Sequence, residues 1–351
     1  MGQRPTPQQI PVVVLAGFLG SGKTTLLNHL LHRSGGSRIG AVVNDFGAIE
    51  IDAMAVAGAL GDSTVSLGNG CLCCAVDVGE LDGYLERLAR PEARIDVIVI
   101  EASGLAEPQE LVRMVLASEC PRIEYGGLVE VVDAAEFDAT RARHPEIDRH
   151  LALADLVVVN KTDRAPDADR VLALVRSLAG AAAVVPAVHG RVDPELLFDR
   201  RPSEERLGQL SFDDLHHPHD GADGDSHAGH LHAAYDSLSF TSKAPLDPRR
   251  LMRFLDGRPE GLYRIKGYVD FGPYDPRNRY AVHAVGRFLR FHPEPWPAGR
   301  EPATELVLIG AGIDAPALDA ALHACVSDAP HADEHGMWGV LRYVPGAEDA
   351  P

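Results

Sequence analysis

The sequence predicts an α/β fold, a doubly wound and mostly parallel sheet, followed by a smaller α+β domain. Three observations carry this. Short β-rich runs alternate with helical stretches from Ile10 to about Asp199, the pattern of right-handed βαβ crossovers. The strand runs are apolar almost throughout, as strands covered on both faces must be. After residue 234 runs of strands with only one or two helices take over, which suits an antiparallel sheet with helices to one side.

The first strand is Pro11–Ala16, apolar and β-branched, and the stretch Thr25–His32 reads as an amphipathic helix. Between them, Gly17-Phe18-Leu19-Gly20-Ser21-Gly22-Lys23-Thr24 fits the phosphate-loop pattern G-x-x-x-x-G-K-[ST] at every fixed position. Glycines let the backbone turn its N–H groups toward a β-phosphate, and the helix N-terminus adds its positive end. Gly17, Gly20, Ser21, Gly22, Lys23, Thr24 and Thr25 are the expected phosphate-binding set. Lys23 would bridge β- and γ-phosphates, and the Thr24 hydroxyl would ligate Mg²⁺. The fold class sharpens accordingly to that of a P-loop NTPase.

Further strands are expected at Ile39–Val43, Ile95–Ile100, Leu128–Val132, Leu156–Val159 and Ala183–Val188, with helices at Glu80–Ala89, Gln109–Ser118 and Asp167–Leu178. Polar residues follow several of these strands, where open α/β sheets bind ligands. Asn44-Asp45-Phe46-Gly47 lies where a P-loop GTPase has a switch segment, so Asp45 is a candidate metal ligand, with Glu50 and Asp52 weaker ones. Glu101-Ala102-Ser103-Gly104 offers an acid for the Mg²⁺ hydration shell or the attacking water, and a Gly104 N–H for the γ-phosphate. Asn160-Lys161-Thr162-Asp163 offers a carboxylate that accepts two hydrogen bonds from guanine; adenine lacks that donor pair, so the site selects GTP over ATP. Asp163 as a simple helix cap is the competing reading.

Cys71, Cys73 and Cys74 stand within four residues in a loop flanked by Gly68, Asn69 and Gly70. Thiolates bind Zn²⁺ and softer metals tightly. No second C-x-x-C exists to close a structural ribbon, so three near thiols with one carboxylate or imidazole suit an exchangeable ion better; redox sensing is the alternative. Cys120 and Cys325 stand alone and read as buried small hydrophobes. Six of the sixteen histidines, His216, His217, His219, His227, His230 and His232, crowd into 17 residues of almost no apolar content. That stretch reads as a mobile linker and an accessory metal-capture tract.

Tyr235–Thr241, Leu262–Phe271, Tyr280–Phe291 and Thr304–Ile309 read as strands of the second domain, and Asp247–Leu255 and Ala315–Val326 as its helices. The expected organisation is a GTPase domain over 9–206, a His-rich linker over 207–234, an α+β domain over 235–327 and an unassigned tail over 328–351.

Charge and composition exclude several classes. Thirty-three basic against fifty-one acidic residues give a net charge of −18, which works against nucleic acid and anionic membrane as partners. No apolar run approaches a membrane span, and residues 1–9 lack a signal-peptide core, so a cytoplasmic location is expected.

Taken together, these motifs resemble the CobW-type metallochaperone GTPases, a family within the P-loop GTPases. The resemblance rests on Gly17 to Thr25, Asn44 to Gly47, Gly70 to Cys74, Glu101-Ala-Ser-Gly-Leu-Ala-Glu-Pro108 and Asn160 to Asp163, with the His-rich linker and Arg264-Ile-Lys-Gly267 in support. It implies a GTP-hydrolysing carrier that cycles between GTP and GDP and delivers Zn²⁺, or Co²⁺ or Ni²⁺, to a client metalloprotein or a metal-cofactor biosynthesis enzyme. By the same resemblance the cargo sits on Cys71, Cys73 and Cys74, with Asp45 as a carboxylate partner. The family commonly carries Glu where Ala48 stands here; the next acid is Glu50. A metal-storing or sensing GTPase and a P-loop small-molecule kinase are the rival readings.

Overall fold

The computed structural model describes residues 9–34, 36–44, 64–67, 78–104, 106–198, 235–327 and 335–345. The first sheet has seven strands: β1 (Ile10–Ala16), β2 (Ile39–Asn44), β3 (Thr64–Leu67), β4 (Val97–Glu101), β5 (Ile123–Asp133), β6 (Leu156–Asn160) and β7 (Ala183–Pro186), in the order β3-β2-β4-β1-β5-β6-β7. Every recorded pairing within it is parallel. The central strands are apolar on both faces and buried on both; Val12, Val14, Val97, Ile98, Val157 and Val158 are all fully enclosed. The connecting helices are α1 (Lys23–His32), α2 (Val78–Leu88), α3 (Pro108–Leu116), α4 (Phe137–Arg143), α5 (Ile147–Leu153) and α6 (Ala168–Ala179). Asp167 caps α6 by accepting the Arg170 N–H at 3.0 Å, and Pro108 opens α3, where its missing N–H costs nothing.

Two elements depart from expectation. β5 is eleven residues long, not the five of Leu128–Val132. Gly126 and Gly127, just ahead of the expected strand, belong to it: a Cβ on Gly126 would lie 3.0 Å from the Val12 backbone, so the close approach itself calls for glycine. The second is β3, a four-residue edge strand beside β2, too short to show a period.

The second sheet is antiparallel, as expected. It comprises β8 (Asp236–Ser242), β9 (Leu262–Val269), β10 (Asn278–Val285), β11 (Phe288–Pro295) and β12 (Thr304–Gly310), ordered β11-β10-β9-β12-β8. Its helices are α7 (Pro248–Asp256), α8 (Ala315–His323) and the single turn α9 (Trp338–Leu341). Phe240, Ile265, Val282, Phe291 and Leu308 form the apolar face, closed by Leu251, Leu255, Leu322 and Val340 from the helices. Cys325 joins this core, where burial pushes its thiol pKa up, and Cys120 is buried too; both are free.

Here the structure corrects two readings and adds to the unassigned tail. Tyr280–Phe291 is two strands rather than one, since Gly286 takes a left-handed φ of 53° and reverses the chain between Val285 and its register partner Phe288. Helix α8 stops at His323, and Val326 instead bridges to Leu246. Part of the tail is ordered by packing: Val340 is fully buried and the Phe291 N–H donates to the Tyr343 carbonyl at 2.9 Å.

The described residues divide into two compact units, Ile10–Gly126 with residues 187–198, and Gln9 with Gly127–Pro186, 235–327 and 335–345. Within the second, Asp155 sits directly against Gly286 and the Gly261 N–H donates to the Ala181 carbonyl at 3.0 Å. No helix among the described residues is long and apolar enough to cross a membrane.

Candidate nucleotide and metal site

The loop after β1 takes three positive-φ glycines, Gly17 at 141°, Gly20 at 78° and Gly22 at 106°, and Gly22 is the N-cap of α1. A side chain would resist that sequence of turns. No side chain caps α1, so the positive end of the helix at the loop is not offset by a capping oxygen, as an anion site at a helix N-terminus requires. Lys23 is buried, and its ammonium donates to the Gly17 and Phe18 carbonyls at 2.9 and 3.3 Å. Thr24 donates its hydroxyl proton to Glu101 Oε1 at 2.7 Å.

Glu101 is the last residue of β4 and only 4% exposed. It stands in register with Leu15 of β1 and Val43 of β2, so the parallel sheet delivers its carboxylate beside the phosphate loop. A hydroxyl and a carboxylate are both hard oxygen donors, the kind that Mg²⁺ takes with its remaining waters. The residues present therefore fit a Mg²⁺ ion held through Thr24 and Glu101, which would neutralise developing phosphate charge when bound. Just beyond, Gly104 passes so near the loop tip that a Cβ there would lie 2.7 Å from the Leu19 nitrogen. Gly104→Ala is expected to displace the phosphate loop and lower kcat/KM for GTP about tenfold or more. Steady-state kinetics beside a thermal unfolding midpoint would check it; unchanged kinetics would show that the loop tolerates the methyl.

The polar run after β6 makes a second cluster. Asn160 is buried, its carbonyl accepting the Ala134 N–H at 2.8 Å. Lys161 adopts a left-handed φ of 58° and its ammonium meets Asp133 Oδ2 at 2.6 Å, while Asp163 is exposed. Asp133 is absent from the sequence-based candidates. The signal that could have found it is the one that singled out Glu101: an acid ending an apolar strand.

A further contact also escapes sequence reading. His29 of α1 is half-buried with Nε2 donating to the Val192 carbonyl at 2.9 Å, and burial holds its pKa below the ordinary value, which favours the neutral ring. It fastens the segment after β7 onto α1, where Gly190 also lies against the Leu26 backbone.

Cys71, Cys73, Cys74 and Asp45 lie outside the described residues, as do His216, His217, His219, His227, His230 and His232. Among the described residues no group of three His, Cys, Asp or Glu side chains is arranged to hold a metal.

Residues 11–186 match the family described as CobW/HypB/UreG, nucleotide-binding domain, and residues 235–326 match the cobalamin synthesis protein cobW C-terminal domain. The chain is also 31% identical over 357 residues to a zinc chaperone CobW of Sinorhizobium sp, covering 91% of this chain and 98% of that one. This protein belongs to the CobW family. Zinc-regulated GTPase metalloprotein activator 1 of Schizosaccharomyces pombe is another relative, 32% identical over 200 residues, with 54% of this chain and 48% of that one covered. Among solved structures, the Zn(II)-bound YjiA GTPase from E. coli aligns at 24% identity and a TM-score of 0.40, over 91% of this chain and all of that one. Both family matches fall on the two sheets described above, the first on the parallel sheet and the second on the antiparallel one.

Proposed function

We propose that this protein is a GTP-hydrolysing metallochaperone that carries Zn²⁺ and hands it to a client metalloprotein. The observation that carries the nucleotide half is the Thr24–Glu101 hydrogen bond beneath a phosphate loop whose lysine is buried against its own carbonyls. That arrangement presents a metal-ligating hydroxyl, a carboxylate and a phosphate-directed ammonium together, the parts needed for phosphoryl transfer to water. In this reading Gly17, Gly20, Ser21, Gly22, Lys23, Thr24 and Thr25 hold the phosphates, Glu101 and Gly104 serve hydrolysis, and Asn160, Lys161 and Asp163 read guanine. The exposed carboxylate of Asp163, following a buried and bonded Asn160, supports that base-reading role.

The metal half rests on Cys71-Leu72-Cys73-Cys74 in a chain of this family, whose relatives carry the names zinc chaperone and zinc-regulated GTPase. Zn²⁺ is thus cargo, held by Cys71, Cys73 and Cys74 with Asp45 as the carboxylate candidate. GTP and GDP would bias the switch segment near residue 45 between holding and releasing the ion, which requires that the ion bind the two nucleotide states with different affinity. GTP turnover by the purified protein should therefore change severalfold when Zn²⁺ is added at saturating Mg²⁺. Turnover that ignores Zn²⁺ across its binding range would refute the coupling.

A further inference from the structure

The geometry points to Asp133 as a positioning residue for the base-reading loop, acting through Lys161 and setting how strongly the protein prefers guanine over adenine nucleotides. This rests on the reading of Asn160–Asp163 given above. Asp133 ends β5 and Asn160 ends β6, and the two are register partners in a parallel pair. Their loops leave the sheet side by side at the carboxyl ends of the strands, where ligands bind in such folds.

The carboxylate of Asp133 is fully used. Oδ1 accepts the Ala135 and Glu136 N–H groups at 3.0 and 3.3 Å and so closes its own turn. Oδ2 accepts from the Lys161 ammonium at 2.6 Å, with the two side chains only 15% and 25% exposed. Partial burial protects such a charge-assisted bond from the screening that weakens surface pairs. Lys161 meanwhile sits in the left-handed region, which a residue with a Cβ keeps only when its surroundings hold it there. The Asp133 bond is such a hold: it draws the lysine stem across from one loop to the other. Asp163 follows two residues later, and the Arg164 N–H donates back to the Lys161 carbonyl at 3.0 Å, so the placement of Lys161 sets that of the whole turn.

The test uses the full-length protein and competition binding of GTP and ATP against a fluorescent nucleotide. In Asp133→Asn the oxygen that closes the turn remains, while the atom facing Lys161 becomes an amide donor. GTP affinity should fall about tenfold, with the loss in Kd and KM rather than in kcat, and ATP affinity should hold within about twofold. In a Lys161→Met background the same change should add no further loss of selectivity, because Asp133 acts through that lysine. Asp133→Ser, which keeps a short acceptor for the turn, should reproduce the effect if Asp133→Asn folds poorly. An unchanged GTP-to-ATP ratio in both Asp133 variants, or an equal loss with and without Lys161, overturns the assignment. Asp163→Asn separates this from the underlying reading. If that variant also leaves the ratio unchanged, the base-reading loop itself is misassigned; if it collapses the ratio while the Asp133 variants do not, only Asp133 falls.

Discussion

Lys23→Ala should reduce GTP hydrolysis by a factor of about 100 to 1,000, because it removes a preorganised positive charge from the place where negative charge develops. The lysine is buried and bonded to the Gly17 and Phe18 carbonyls, so its charge is already held at the loop that would cradle the phosphates. Thr24→Ala should cost as much by a different route. It deletes the hydroxyl that now donates to Glu101 and would ligate Mg²⁺, so its loss should ease at high Mg²⁺ where that of Lys23→Ala does not. Single-turnover phosphate release across a Mg²⁺ titration distinguishes the two, and near-wild-type turnover by Lys23→Ala protein would remove the phosphate-loop assignment.

Cys73→Ser is the second large effect. Thiolate ligation requires ionised thiols, so Zn²⁺ binding by the wild type should release protons, and tight binding should depend on each sulfur that reaches the ion. Cys73 falls on the same side as Cys71 if the loop is extended, whereas Cys74 points away, so Cys73 ranks above Cys74. Zn²⁺ affinity should drop at least about a hundredfold in Cys73→Ser, with GTP binding unchanged and turnover no longer responsive to Zn²⁺. A chelator competition that returns one ion per chain at wild-type affinity would place the cargo elsewhere.

How much of this was legible beforehand depends on the range of the interaction that fixed each part. The phosphate loop is local: its glycines and Lys-Thr pair are contiguous, so Gly17–Thr24 and the strand before it read directly from sequence. Buried parallel strands such as Val97–Glu101 and Leu156–Asn160 announce themselves by apolar content. What escaped depended on partners far along the chain. β5 runs on through Gly126 and Gly127 because the Val12 backbone lies against the first and the Val285 and Tyr263 side chains against the second, neighbours that the local sequence does not show. The hairpin at Gly286 hid inside a continuous run of strand-forming residues, and its glycine is demanded by Asp155, more than a hundred positions earlier. Asp133 went unnoticed because its value lies in a bond to Lys161, 28 residues away. Glu101 was named from its place at a strand end, but its bond to Thr24 spans 77 residues and only the fold could supply it.

The attachment of the antiparallel domain has a mechanical consequence. Asp155, which meets Gly286, directly precedes β6, and Ala181, which accepts from Gly261, stands just ahead of β7. Both are at the amino ends of their strands, whereas Asp133, Asn160 and Lys161 are at the carboxyl ends. The five residues of β6 make a stiff rod about 16 Å long between the two. At these two contacts among the described residues, the added domain grips the handle of the tool, away from its working edge. A push or twist applied by the domain at these contacts would run lengthwise through β6 toward the Asp133–Lys161 pair.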